Sequence, residues 1–443
     1  MSTLASIRRP RVGYHETLLT DLPRLKISPS PWINALRAEA VNRLDMLSLP
    51  TQRDEEWRFT NISALTKRTF ALALRATYLE SADVEPFHIE EASTRLVFVD
   101  GIYTPQLSSA VSNSGLVVSN LPTVLATHAG VIEAHLDRHS TLNENVFAAL
   151  NMSQLRDAAV IIVPANVEVA SPIHLLFIAT QKKVVSTPRC LVVAETGSAV
   201  TVIEDYVLLN QPGCQEEAHF TNAVTEIVLK DNARLNHIRT QREGSQAFHI
   251  ANCGVSLGRS SNYQSVSVAL GAQISRYNLE VSMAEGAECA VDGLALIAAN
   301  QLADTHTCID HAQPHGISRQ LHKCIVGGSA HAVFNGKIMV REAAQRTDSI
   351  QSSRNLLLSS KAYIDTKPEL EIFADDVKCA HGATIGQLDS EEVFYLKSRG
   401  LSDSAARNLL TYAFAAEIID RIPVASLKHQ LEQSALEQTS SQL

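Results

Sequence analysis

The chain is short of charge. Asp, Glu, Lys and Arg make up 19% of its 443 residues, against roughly 25% in an ordinary globular protein. Beside a hydrophobic content of 45%, this excludes a disordered polymer. An excess of positive charge is also missing: 38 Lys plus Arg face 47 Asp plus Glu, a formal charge of -9, which argues against a broad footprint on nucleic acid or anionic membrane. No run is clean enough to span a bilayer, because the most apolar stretch, 158–180, is broken by Pro164, Asn166, Glu168, Pro172 and His174. The start carries Arg8, Arg9 and Arg11 but no apolar signal region. It reads as cytoplasmic, with a Ser/Arg-rich, acid-poor composition that plastid import also uses. Cys-x-x-Cys is absent; the seven cysteines, Cys190, Cys214, Cys253, Cys289, Cys308, Cys324 and Cys379, are odd in number and scattered. That excludes a disulfide framework or zinc ribbon and leaves reduced thiols. Neither GxxxxGK[ST] nor GxGxxG occurs, so nucleotide chemistry would have to come from a partner.

What is present divides the chain into three textures. Ser30 and Pro31 look like the cap and first position of a helix, and Ile33, Leu36, Ala40, Leu44 and Leu47 recur at helical spacing over 32–48. Asp100-Gly101 between two β-rich runs predicts a tight hairpin. Residues 1–154 therefore read as a mixed helical and β domain. From 155 to 386 short β-branched runs alternate apolar and polar residues, with turns near Gly197, Asn232, Gly271, Gly286 and Gly328. That pattern fits a coiled β-solenoid or a large sandwich about equally, with the solenoid preferred. Over 387–443 the period turns helical: a short helix 390–397 capped by Ser390 and ended by Gly400, a long one 403–421 capped by Ser402, and a third over 427–436.

Three stretches hold residues that carry chemistry. Gly254 to Gly258 matches GxSxG, but a strand-like sequence follows where a nucleophile elbow needs a helix, so the match reads as coincidence. The run 304–331 is rich in His and Cys. Strand alternation puts His306, Cys308 and Asp310 on one face, and likewise His322 with Cys324. These are ligand types for zinc or iron, yet a structural role is favoured, since buried Cys commonly serves as a small hydrophobe. In the third stretch Cys379 and His381 project from one side of an extended segment, with Lys378 on the other and Asp375 and Asp376 upstream. A thiolate beside an imidazole binds iron, zinc or an iron–sulfur cluster, but two ligands do not close a site without a neighbour.

The stretch 333–414 resembles the most characteristic block of the SufB/SufD family of the Suf iron–sulfur cluster assembly system. The resemblance is carried by DTKPELEI at 365–372, ADDVKCAHGATIG at 374–386 and FYLKSRG at 394–400, with LPTQRDEEWRFT at 49–60, RLVFVDGIY at 95–103 and PIHLLF at 172–177 in support. KCAHGA, and the absence of a cysteine near Gln351, align it with the SufD-type members rather than with SufB. The resemblance implies a mainly β fold: a right-handed parallel β-helix core between an N-terminal mixed domain and a C-terminal helical domain. It implies pairing with SufB through the β-helix, binding of the ATPase SufC through the C-terminal helices, and a homodimer as an option for the isolated chain. It further implies a scaffold without catalysis of its own and with no tightly bound cofactor, a transient cluster shared with SufB, and a reduced flavin associated with the complex. By position His381 is the expected cluster or iron ligand and Cys379 a second ligand or supporting thiol, while Phe394, Tyr395, Leu396, Arg399 and Gly400 are the expected SufC contact. Two rivals remain: a scaffold that never touches iron, and more distantly a β-helix polysaccharide enzyme using Asp375, Asp376 and Lys378.

Overall fold

The computed structural model describes residues 28, 30–109, 115–139, 142, 144–209 and 217–440. The arginine-rich start and Cys214 lie outside these residues. Ten-residue alternating runs separated by turns are the recipe for strands that bury one face inside and one outside. The strands are β1 (Ala71–Leu72), β2 (Thr94–Val99), β3 (Ile102–Tyr103), β4 (Val117–Asn120), β5 (Ala159–Val163), β6 (Ile173–Ala179) and β7 (Val184–Ser186). There follow β8 (Arg189–Ala194), β9 (Ala199–Leu208), β10 (Phe220–Leu229), β11 (Arg234–Arg242), β12 (Phe248–Leu257), β13 (Asn262–Ala269) and β14 (Ile274–Met283). The last are β15 (Glu288–Ile297), β16 (Leu302–His311), β17 (Ile317–Val326), β18 (His331–Val340), β19 (Asp348–Leu357), β20 (Tyr363–Ile372) and β21 (Lys378–Gln387).

From β8 onward successive strands alternate between two parallel sheets, ordered β20-β18-β16-β14-β12-β10-β8-β5-β4 and β21-β19-β17-β15-β13-β11-β9-β6-β2-β3. The chain is thus a parallel β-solenoid of about 8 turns, and the sandwich alternative falls. Corners are turned by residues in the left-handed region: Gly197, Asn232, Gly286 and Gly328 as the sequence predicts, but also Ser260, Ala299 and Arg346. Gly271 serves differently: a Cβ there would lie 1.9 Å from the Glu243 carbonyl oxygen, so only glycine lets the two turns approach. Strands from before residue 155 extend both sheets. β2 joins β6 in parallel, β3 closes on β2 through the predicted hairpin with Asp100 at φ 51 and Gly101 at φ 79, and β4 runs antiparallel on β5.

The interior core draws on both sheets: Val192, Val202, Ala223, Leu235, Tyr263, Leu279 and Ile338 pack together, each large apolar side chain contributing about 1.5–3 kcal/mol on burial. The outer faces are covered by the flanking segments. Helix α1 (Pro31–Met46) and helix α2 (Leu121–His135) supply Ile33, Ala40, Leu121 and Val124 against Val160 and Leu191. Helix α3 (Val146–Ser153), capped by the Asn145 side chain, packs Phe147 near Phe220 and Phe248. The other face is covered from the C-terminus by α5 (Asp403–Ile419) and α6 (Ala425–Ser440), whose Ala415, Ile418, Ile419, Leu427 and Leu431 meet Ile238, Leu294, Leu321 and Ile325. The Ser402 hydroxyl caps α5 by accepting from the Ala405 N–H. Helix α4 (Ser390–Ser398) is capped one residue earlier than the sequence predicts: the Asp389 carboxylate accepts from the Glu391 N–H, and an anion suits a helix start better than a hydroxyl. Among the described residues no helix is long and apolar enough to cross a membrane.

Candidate functional site at the open end of the solenoid

β20 and β21 are the last strands of their sheets, each paired on one side only, with β18 and β19. Pro368 in the middle of β20 fits such an edge, where a missing N–H breaks no ladder. Apolar side chains stand exposed around this end: Tyr363, Ile372, Phe373, Ile385 and, one turn in, Ile350. β21 carries the two residues singled out in the sequence. Cys379 turns inward and packs on the interior core, half-buried; burial raises its thiol pKa, and Asp348 adds to the rise. His381 follows on the same side but, with no further turn above it, is exposed.

Parallel in-register pairing stacks equivalent positions into rows. Under Cys379 stand Ser349, Ser318 and Cys289; under His381 stand Gln351, Gln320 and Val291. Both rows are polar in the last turns and fully or nearly fully buried. Ser349 and Ser318 hydroxyls lie 2.7 Å apart, and Ser318 lies 2.8 Å from His311 Nε2. Gln351 Nε2 donates to Gln320 Oε1 at 2.8 Å, and Gln320 Nε2 donates to Thr307 Oγ1 at 2.9 Å. Sequence reasoning missed these rows. Their signal is recurrence of Ser and Gln about one turn apart, which alternation within a strand does not reveal.

The run 304–331 does not form one centre. His306, Cys308 and Asp310 share the outer face of β16 as predicted, but His322 and Cys324 face inward on β17, in the other sheet, with Cys324 Sγ 3.6 Å from His322 Nδ1. His306 is held by Asp304 at 3.0 Å and Glu56 at 3.1 Å, and Asp310 by Arg341 at 2.8 Å. Asp304 also binds Arg276 at 2.5 Å and the Thr60 hydroxyl. Burial alone would raise its carboxyl pKa, but Arg276 and His306 hold it well below the usual range. Arg276 lies 3.8 Å from the Trp57 ring centre. The segment 49–60 is therefore clamped to the outer face of the solenoid, roofing a cavity of about 370 Å³ lined by Glu56, Trp57, Arg276, Glu280, His306 and Cys308. Among the described residues no three His, Cys, Asp or Glu side chains are grouped to hold a metal ion. Ser256 of the GxSxG match lies within β12, so the elbow is absent.

The residues expected to form the C-terminal contact sit on and just after α4. Only Val393 of that helix is buried; Phe394 is 72% exposed and Tyr395 56%. Leu396 is half-buried, and Arg399 lies 5.2 Å from the Tyr395 ring centre. Gly400 at φ 98 has open space about its Cα, so backbone conformation rather than packing requires glycine there.

Comparison with known proteins identifies the family. The SufBD core domain of SUF system FeS cluster assembly matches residues 177–414, and the SufBD protein N-terminal region matches 17–175. The chain is 45% identical over 405 residues to an iron–sulfur cluster assembly SufBD family protein of Synechocystis sp., covering 90% of this chain and 89% of that one. It is 34% identical over 429 residues to the iron–sulfur cluster assembly protein SufD of Escherichia coli, covering 93% and 97%. It is 31% identical over 424 residues to protein ABCI7, chloroplastic, of Arabidopsis thaliana, covering 92% and 86%.

Proposed function

The chain belongs to the SufBD family of Suf-system iron–sulfur cluster assembly proteins, and from that premise we propose that it is the SufD-type scaffold subunit, holding a nascent cluster against SufB at its open solenoid end. The observation that carries this reading is the coincidence of two unpaired edge strands, an exposed apolar rim, and Cys379 and His381 on the outermost strand. An edge strand is completed by a neighbour's strand, and a neighbour is what a two-ligand site needs. In this reading the cluster is cargo: His381 supplies an imidazole nitrogen, Cys379 a second or supporting sulfur, and SufB the rest. The raised thiol pKa of Cys379 makes it a poor ligand until iron displaces its proton.

SufC docks, in this proposal, on Phe394, Tyr395, Leu396 and Arg399. Exposure of the two aromatics supports a helix-in-groove contact over a packing role for that face. Deleting everything from Glu391 would be a poor test, because it strips α5 and α6 from the apolar face they cover. Phe394→Ala with Tyr395→Ala is the clean one: co-purification with SufC should fall and with SufB persist, and retained SufC would remove the assignment. For the cluster site, His381→Ala in the reconstituted complex should lower iron and sulfide content, and normal content would sink the ligand role. A second reading is a scaffold that orients its partners without touching iron. Cluster formation surviving loss of both Cys379 and His381 would select it.

A further inference from the structure

We propose that Gln351 is a positioning residue for His381: its side-chain carbonyl accepts a hydrogen bond from one imidazole N–H, leaving the other ring nitrogen turned outward with its lone pair free. The inference deepens the ligand reading of His381 and rests on it for its functional meaning.

Gln351 is fully buried, and its Oε1 has no hydrogen-bond partner among the described residues. A buried carbonyl without a donor is uncommon and calls for an explanation. The amide cannot simply turn over. Thr307 Oγ1 lies 2.9 Å from Gln320 Nε2 and 3.3 Å from Gln320 Oε1, and the Gln351 NH₂ group donates to that Oε1 at 2.8 Å, so turning the Gln351 amide over would set two carbonyl oxygens face to face. Gly336 makes room for that NH₂ group, since a Cβ there would lie 2.4 Å from it. The hydrogen-bonded chain from Thr307 through Gln320 to Gln351 thus ends in a vacant acceptor on the residue paired with His381. Neighbouring strands lie about 4.8 Å apart and their stacked side chains point the same way, so a turn of the exposed His381 side chain would bring the imidazole to that oxygen. A metal-binding histidine commonly donates its second N–H to a carbonyl, which fixes the tautomer and the ring orientation.

The test is NMR of the isolated full chain with ¹⁵N-labelled histidine. One dominant His381 tautomer with slowed ring N–H exchange is the expected result. Gln351→Met, similar in length and without an acceptor, should release the ring to a tautomer mixture with fast exchange, and Gln351→Glu should restore the fixed form. In the reconstituted complex, Gln351→Met should lower iron affinity about 10- to 100-fold. A tautomer mixture in the unaltered chain overturns the proposal without recourse to any variant, and so does a Gln351→Met spectrum that keeps the fixed form. The two levels separate cleanly. A fixed tautomer in a chain whose complex keeps its cluster after His381→Ala would retain the Gln351 contact and discard the ligand role; a free ring with cluster loss would do the reverse.

Discussion

His306 with Cys308 and His381 with Cys379 are alike in sequence, each pair two residues apart on one face of a solenoid strand, yet they stand in opposite surroundings. Around the first pair the chain supplies its own answers: His306 lies between Asp304 and Glu56, and Asp304 also takes Arg276 and Thr60. Around the second it supplies only a floor, because β21 has no strand beyond it. Ligand-type residues become a binding site by what their surroundings leave unsatisfied, not by their identity. Disrupting the first pair should therefore register in stability and disrupting the second in assembly.

The largest effect should come from Asp304→Ala. It leaves Arg276 buried without its carboxylate, and breaking a buried pair in this way costs about 3–5 kcal/mol; urea unfolding would measure it, and a loss below about 1 kcal/mol would mean the clamp on 49–60 is superficial. His381→Ala should sit at the other pole, changing stability by no more than about 0.5 kcal/mol while cluster content collapses. Cys379→Ser should be milder for the cluster, since a hydroxyl keeps the shape of a supporting thiol but not its softness; equal loss in the two variants would promote Cys379 to full ligand. The smallest effect concerns pH. Burial lowers the His306 pKa, but Asp304 outweighs it and the net shift is upward from 6.5. The protonated form is the one favoured on folding, so this clamp contributes fully below pH 6.5 and weakens as pH rises through the folded value. The stability gap between the unaltered chain and His306→Gln should accordingly be wider at pH 6 than at pH 9, and a gap that widens with pH would contradict the assignment.

Much of this contrast was legible in the sequence, for reasons that also mark where legibility stops. Alternation alone put Cys379 and His381 on one side and His306, Cys308 and Asp310 on one face, because the two-residue period of a strand is a local property. The Asp100-Gly101 hairpin and the Ser402 cap were equally local. Solenoid and sandwich could not be told apart, since both are built from the same strand period; what separates them is pairing across a whole turn, such as Val291 with Gln320, Gln320 with Gln351 and Gln351 with His381. The buried Ser and Gln rows escaped for the same reason, since alternation within one strand does not show which face the register turns inward. That β21 is an edge could not be read at all, because an edge is the absence of a pairing.

The single file of turns has a further consequence for how the chain opens. Each turn pairs only with its neighbours, and the apolar core under α5 and α6 includes no residue of β20 or β21, so opening these last strands costs less than opening the strapped middle of the stack. Amide hydrogens of β20 and β21 should exchange with solvent well before those of β12 or β14, and the gradient should run toward Gln387. A partner seated on the open end would lengthen the stack by its own turns and move the fraying point into itself. Exchange protection gained on β21 alone would then report docking residue by residue, without any spectroscopic signal from iron.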